Sequence, residues 1–212
     1  MEQILVYSDS LSWGIIPGTR GRLAFEQRWP GVLEQSLISQ GRSVRVIENC
    51  LNGRRTAWDD PFKPGRDGSD GLAQVIEMHS PLSLVILMLG NNDFQSTHSL
   101  DAVMSVQGNA KLINTIRQAP IEPGMPVPPI LLVAPPVIRQ PKGAMADKFV
   151  GAAERSRGFN QQLQKLAQEQ DCLFFDSNPL IHASPIDGIH LDQSEHQKLG
   201  LTLAEFIAKA QG

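Results

Sequence analysis

Apolar positions in this chain fall into two recurring patterns. The first is a set of short, nearly unbroken runs: Ile4 to Tyr7, Val44 to Ile47, Leu84 to Leu89, Ile130 to Val133 and Leu173 to Phe175. Such runs predict buried strands. Leu84 to Leu89 lies between Pro81 and Gly90 and reads as a central strand covered on both faces. Pro135 and Pro136 stop the fourth run.

The second pattern has helical spacing. Trp29, Leu33 and Leu37 share a face before Gly41. Val103, Val106, Ala110 and Ile113 predict a helix after the third strand. Phe159, Leu163, Leu166 and Ala167 predict another, and Leu199, Leu203, Phe206, Ile207 and Ala210 a last one. Ser194 and Gln197 suit a capping box for the last helix, and Gly200 inside it is an internal cost.

Strands alternating with helices imply an α/β fold with a parallel sheet and helices on both faces. No repeat or second composition appears, so residues 1–212 read as one domain. Active residues of such sheets sit at the carboxyl ends of the strands. Two long connections stand out. Gly53 to Gly71 reads either as an interface or as a flexible surface loop. Pro120 to Pro129 carries five prolines and reads as a rigid connection.

Composition narrows the function. A formal net charge of −3 with scattered cations gives no nucleic-acid footprint. The pair Arg54 and Arg55 reads as a solvated loop or a loop–loop contact. Cys50 and Cys172 stand beside apolar stretches and read as small core residues. Met1-Glu2-Gln3 leads straight into an apolar run without a leader pattern, and no run is long enough to span a bilayer. The expectation is a soluble cytoplasmic protein. There is no H-E-x-x-H, no Cys/His cluster and no phosphate-binding glycine motif, so neither metal nor cofactor is expected.

Four segments lie where the strand ends or their adjoining loops should be. They are Ser8-Asp9-Ser10-Leu11-Ser12-Trp13-Gly14, Asn49-Cys50-Leu51-Asn52-Gly53, Gly90-Asn91-Asn92-Asp93 and Asp187-Gly188-Ile189-His190-Leu191. Acyl transfer needs a nucleophile, a base and donors for the developing oxyanion. Ser10 can be the nucleophile, His190 the base, and Asp187 the group that orients the imidazole. The backbone N–H groups of Ser10 and Gly53 and the Asn92 amide can be the oxyanion donors.

In their order, these four blocks resemble the SGNH (GDSL-like) hydrolase family. Asp9 to Gly14, Arg28-Trp29-Pro30-Gly31-Val32-Leu33 and Asp187 to His190 look like its bacterial arylesterase and acyltransferase branch. The resemblance implies a three-layer α/β/α, flavodoxin-like SGNH fold with a central parallel sheet of about five strands. It implies a cofactor-free serine esterase acting on short acyl groups of aryl or alkyl esters through a Ser10 acyl-enzyme, with acyl transfer as a second outcome. Carbohydrate acetyl esterase, thioesterase or lysophospholipase activity and a non-catalytic binding module are the alternatives. Family members form dimers or larger assemblies, so a homo-oligomer is open. The resemblance points to Trp13 as a pocket residue, against the reading that it is core, and to Ile189 beside it.

One departure matters: Ser8 stands where the family has glycine. A side chain there could crowd the turn, alter the pocket mouth or put a second hydroxyl near Ser10. Each candidate also has a plain reading. Ser10 alone would be a turn residue, and Asn91-Asn92-Asp93 is good turn chemistry. Asp9 and Asp93 read as carboxylates bonding loop backbone. His196 reads as exposed, and Trp58 as a rim residue.

Overall fold

The computed structural model describes residues 1–211. Five strands form one sheet: β1 (Glu2–Ser8), β2 (Val44–Cys50), β3 (Leu84–Met88), β4 (Ile130–Ala134) and β5 (Leu173–Asp176). Their order is β2-β1-β3-β4-β5, and every pairing is parallel. The helices are α1 (Ser10–Trp13), α2 (Trp29–Ser39), α3 (Leu72–His79), α4 (Ala102–Arg117), α5 (Ala152–Arg155), α6 (Phe159–Glu169) and α7 (Gln193–Gln211). The expected α/β class with five parallel strands is what the molecule has.

Successive side chains of a strand point to opposite faces, and here each face meets its own core. Leu5 and Tyr7 of β1 join Leu72, Ile76, Leu112 and Leu163 from α3, α4 and α6. Ile4 and Val6 join Trp29, Leu33, Leu199 and Leu203 from α2 and α7. Covering on both faces is why β3 and β4 read as continuous apolar runs.

The helices differ from expectation in several places. α3 was not anticipated; it follows directly on the polar loop that ends at Gly71. In α4 the buried stripe is Ala102, Ser105, Asn109, Leu112, Ile113 and Ile116, while Val103 is exposed and Val106 and Ala110 are half-buried. The face turns because Ser105 donates to Asp93 at 2.6 Å and Asn109 donates to the Ser105 carbonyl. Polar positions are therefore buried with partners. In α7, Phe206 is half-buried at the edge of Phe175 and Ala210 is exposed. That helix begins at Gln193, so Ser194 lies inside its first turn and is not its cap.

Two further expectations need correction. His196 is buried, not exposed: its Nδ1 accepts the Trp29 N–H at 3.2 Å. Arg54 and Arg55 are buried as well, so the solvated-loop reading fails and the loop–loop contact stands. Cys50 and Cys172 are unpaired and half-buried at the margins of the two cores.

Candidate active site

Ser10 opens the single turn α1, one residue after the interior strand β1. Asp9 caps that turn, its Oδ1 accepting the Leu11 N–H at 2.9 Å. Ser10 Oγ lies 3.2 Å from His190 Nε2, and His190 Nδ1 lies 2.7 Å from Asp187 Oδ2. All three side chains are buried.

Asp187 is held by more than the histidine. Its Oδ1 accepts the N–H groups of Ile189 and His190 at 3.0 and 2.9 Å, and its Oδ2 accepts that of Gly18 at 3.3 Å. Burial alone would push this carboxyl up. The His190 bonds, the Ile189 N–H and the histidine's charge outweigh burial and bring it down to about 2. Gly188 makes the turn possible. Its φ is +75°, and a Cβ there would lie 2.2 Å from the Gln140 carbonyl oxygen.

The strand order reverses between β1 and β3, so loops after both face one crevice. Asn92 follows β3 and donates from Nδ2 to Asp9 Oδ2 at 2.8 Å. Its Oδ1 accepts from Gln95 Nε2 at 2.6 Å, and Gln95 Oε1 accepts from Arg55 Nη2 at 3.1 Å. This chain fixes which end of the amide is nitrogen and leaves one Nδ2 proton unused. Burial raises the Asp9 carboxyl to about 6 against the pull of the Leu11 N–H, His190, Asn92 and Arg54.

Gly53 sits in the loop after β2 with φ +83°. Its loop is tied to β1 by the Leu51 N–H, which donates to the Ser8 carbonyl at 3.0 Å. Arg54 donates to the same carbonyl and to Asn49, with its guanidinium 3.9 Å from the Tyr7 ring centre. Asp93 accepts from Thr56 N–H, Thr56 Oγ1 and Ser105 Oγ. Asp9 and Asp93 are thus the backbone-bonding carboxylates expected, and the Gly53–Gly71 segment is anchored to both strand-end loops. Gln95 carries no signal in the sequence, and the pair Arg54 and Arg55 reads there as a loop contact without any link to these segments. Only proximity to the four candidate segments could have pointed to these contacts.

Ser10, Gly53, Asn92, Asp187, Ile189 and His190 all line one cavity of about 300 Å³. Trp13 is outside its lining; half-buried, it carries the Arg22 guanidinium 4.5 Å from its ring centre. Trp58 is outside it too. Ser8 does not reach it either. Trp29 Nε1 donates to Ser12 Oγ, Ser12 Oγ donates to Ser8 Oγ, and Ser8 Oγ donates to the Met88 carbonyl at 2.8 Å. The hydroxyl in place of glycine is spent inside the fold. A second cavity of about 210 Å³, lined by Arg139, Asn178 and Gly188 among others, contains none of Ser10, His190 or Asn92. Among the described residues no group of His, Cys, Asp and Glu could hold a metal, and no helix is long and apolar enough to cross a membrane.

The model of the GDSL-like lipase/acylhydrolase family matches residues 9–198. Among solved structures, the inhibitor-bound aryl esterase of M. smegmatis is 30% identical with a TM-score of 0.92, covering 99% of each chain. A carbohydrate acetylesterase family member from Sinorhizobium meliloti is 36% identical with a TM-score of 0.92, covering 99% of this chain and 98% of that one. Est24, a carbohydrate acetylesterase from the same organism, is 32% identical with a TM-score of 0.91 over 99% and 100%. Among curated proteins, none matches.

Proposed function

This chain belongs to the GDSL-like lipase/acylhydrolase family and is an ester-hydrolysing enzyme of the SGNH fold, and from that premise we propose that it cleaves short acyl esters through an acyl-enzyme on Ser10. The observation that carries the reading is the line from Ser10 Oγ to His190 Nε2 and from His190 Nδ1 to Asp187, at the wall of one cavity.

Ser10 Oγ attacks the ester carbonyl carbon while His190 Nε2 takes its proton. Asp187, kept ionised, holds the imidazole with its proton on Nδ1 and stabilises the imidazolium. The carbonyl oxygen becomes an oxyanion. It takes hydrogen bonds from the backbone N–H groups of Ser10 and Gly53 and from the free Nδ2 proton of Asn92. His190 then gives its proton to the departing alkoxide, and the bond to the alcohol breaks. Water attacks the acyl-enzyme, His190 removes the water's proton, and that proton returns to Ser10 as the acid leaves. An alcohol in place of water gives acyl transfer. The steps balance without a cofactor.

The cavity volume is near the lower end for small-molecule sites. That favours short acyl esters of aryl or alkyl alcohols over long-chain thioesters or lysophospholipids. The acetylesterases among the solved structures keep an acetylated carbohydrate as the second reading. Ser10→Ala should lower kcat/KM for 4-nitrophenyl acetate by at least about 10³-fold. The variant's circular dichroism should be unchanged. Full activity in that folded variant would refute the nucleophile.

A further inference from the structure

The cavity that holds Ser10 and His190 has a cationic wall. Arg20, Lys63, Lys142 and Lys148 line it, and its one lining carboxylate, Asp187, is engaged by His190. The chain as a whole has a formal net charge of −3, so composition does not account for four cations at this place.

Three of the four act on one another. Partial desolvation lowers the Lys63 ammonium below its ordinary value, and Arg66 and Arg20 lower it further. Partial desolvation at the cavity likewise lowers exposed Lys148, together with Lys63, Arg55 and Arg20. Asp60 pulls both the other way, but its Oδ2 lies 3.6 Å from buried Arg55 and its Oδ1 accepts the Phe62 N–H. Lys63 and Lys142 donate to the carbonyls of Asn52 and Pro185. Among the described residues, the side chains of Arg20 and Lys148 donate to no protein acceptor, and none of the four forms an ion pair. Elsewhere cations find carboxylates, as Arg28 does with Glu48 and Lys198 with Glu195. Like charges gathered at a partly desolvated cavity without counter-ions raise its potential and attract an anion.

We propose that the substrate is an ester bearing a permanent negative charge, such as a carboxylate, held by Arg20, Lys63 and Lys148 while its ester carbonyl meets Ser10. The proposal rests on the Ser10 esterase reading above and names its substrate class. The anion can sit on the acyl or on the alcohol part, and the three basic side chains would recognise either.

The test compares wild type with the double variant Arg20→Gln, Lys148→Gln, which removes two exposed charges that bond to nothing in the protein. Three esters are used: neutral 4-nitrophenyl acetate, 4-nitrophenyl hemisuccinate with the anion on the acyl side, and 4-acetoxybenzoate with it on the alcohol side. kcat/KM for at least one anionic ester should fall about five- to tenfold, mostly through KM, while the neutral ester changes less than about twofold. The ester that loses identifies the side carrying the charge. In wild type, about 0.5 M salt should depress that ester's rate and spare the neutral one. Equal losses for all three esters, or none, overturn the proposal and leave the esterase reading standing. If wild type hydrolyses none of them, the esterase reading fails and this proposal fails with it.

Discussion

His190 and His196 stand on the same stretch of chain and are held for different ends. His190 is gripped between Asp187 and Ser10. His196 accepts the Trp29 N–H on one nitrogen and has no partner on the other, deep between α2 and α7. Burial, with Arg28 and His190 nearby, lowers it to about 3, so it is neutral in the fold. The unfolded chain binds a proton there near pH 6.5 and the folded one does not. Its stabilisation is therefore complete above about pH 6.5 and is lost as pH falls towards 3. Asp9 works in the opposite sense between its ordinary 3.8 and about 6, but it is common to both proteins in a comparison. His196→Asn keeps an acceptor for the Trp29 N–H and cannot titrate. Its urea midpoint should drop less between pH 7 and pH 4 than the wild-type midpoint does. Parallel pH curves would show that His196 is not the group responsible. The residues that perform the proposed chemistry were legible because each lies in a short local block. Asp187 and His190 meet within one turn, and Asp9 caps the turn that carries Ser10. Gln95 and the contacts of Arg54 and Arg55 were not legible, because the bonds from Arg54 to the Ser8 carbonyl and from Arg55 to Gln95 join segments far apart in sequence. Trp13 was expected beside the substrate, yet it faces Arg22 outside the cavity, a matter of local turn geometry that residue type does not report.

The helices show how packing overrides pattern. Gly200 reads as a defect inside α7, where alanine would add about 1 kcal/mol of helix propensity. In the fold a Cβ at this position would lie 2.6 Å from Val32 Cβ and 2.7 Å from the Trp29 carbonyl oxygen. The glycine lets α7 close on α2. Gly200→Ala should thus lower stability by about 1–3 kcal/mol despite the better propensity. Thermal denaturation checks the sign, and a raised Tm would contradict the close-approach account. α4 makes the same point with polar residues. Its buried face carries Ser105 and Asn109 because Asp93 and the Thr56 loop dock there. Hydrophobic spacing alone selects Val103 instead. The strands were easier to read. β3 and β4, covered on both sides, have no polar face to blur the run.

At the scale of the molecule, the sheet order explains why four segments distant in sequence reach one cavity. Parallel strands all end on the same side, and the reversal between β1 and β3 opens a crevice there. Strand order itself was not readable, since alternation gives a parallel sheet without saying which strands adjoin. The long loop from Gly53 to Gly71 was also undecided. It is fastened by Tyr7 Oη, which donates to the Gly68 carbonyl, and by Asp93. Gly53 and Lys63 thereby stay at the cavity wall. Ser8, the departure from the family pattern, is absorbed by Ser12 and Met88. The fold thus leaves Ser10 as the cavity-lining hydroxyl that meets His190. The most direct measurement is therefore to treat the folded protein with a fluorophosphonate and map the adduct by peptide mass spectrometry. Stoichiometric modification at Ser10, abolished in His190→Ala, is the predicted result. Modification at Ser8 or Ser12, or no adduct in protein that hydrolyses 4-nitrophenyl acetate, would contradict the account.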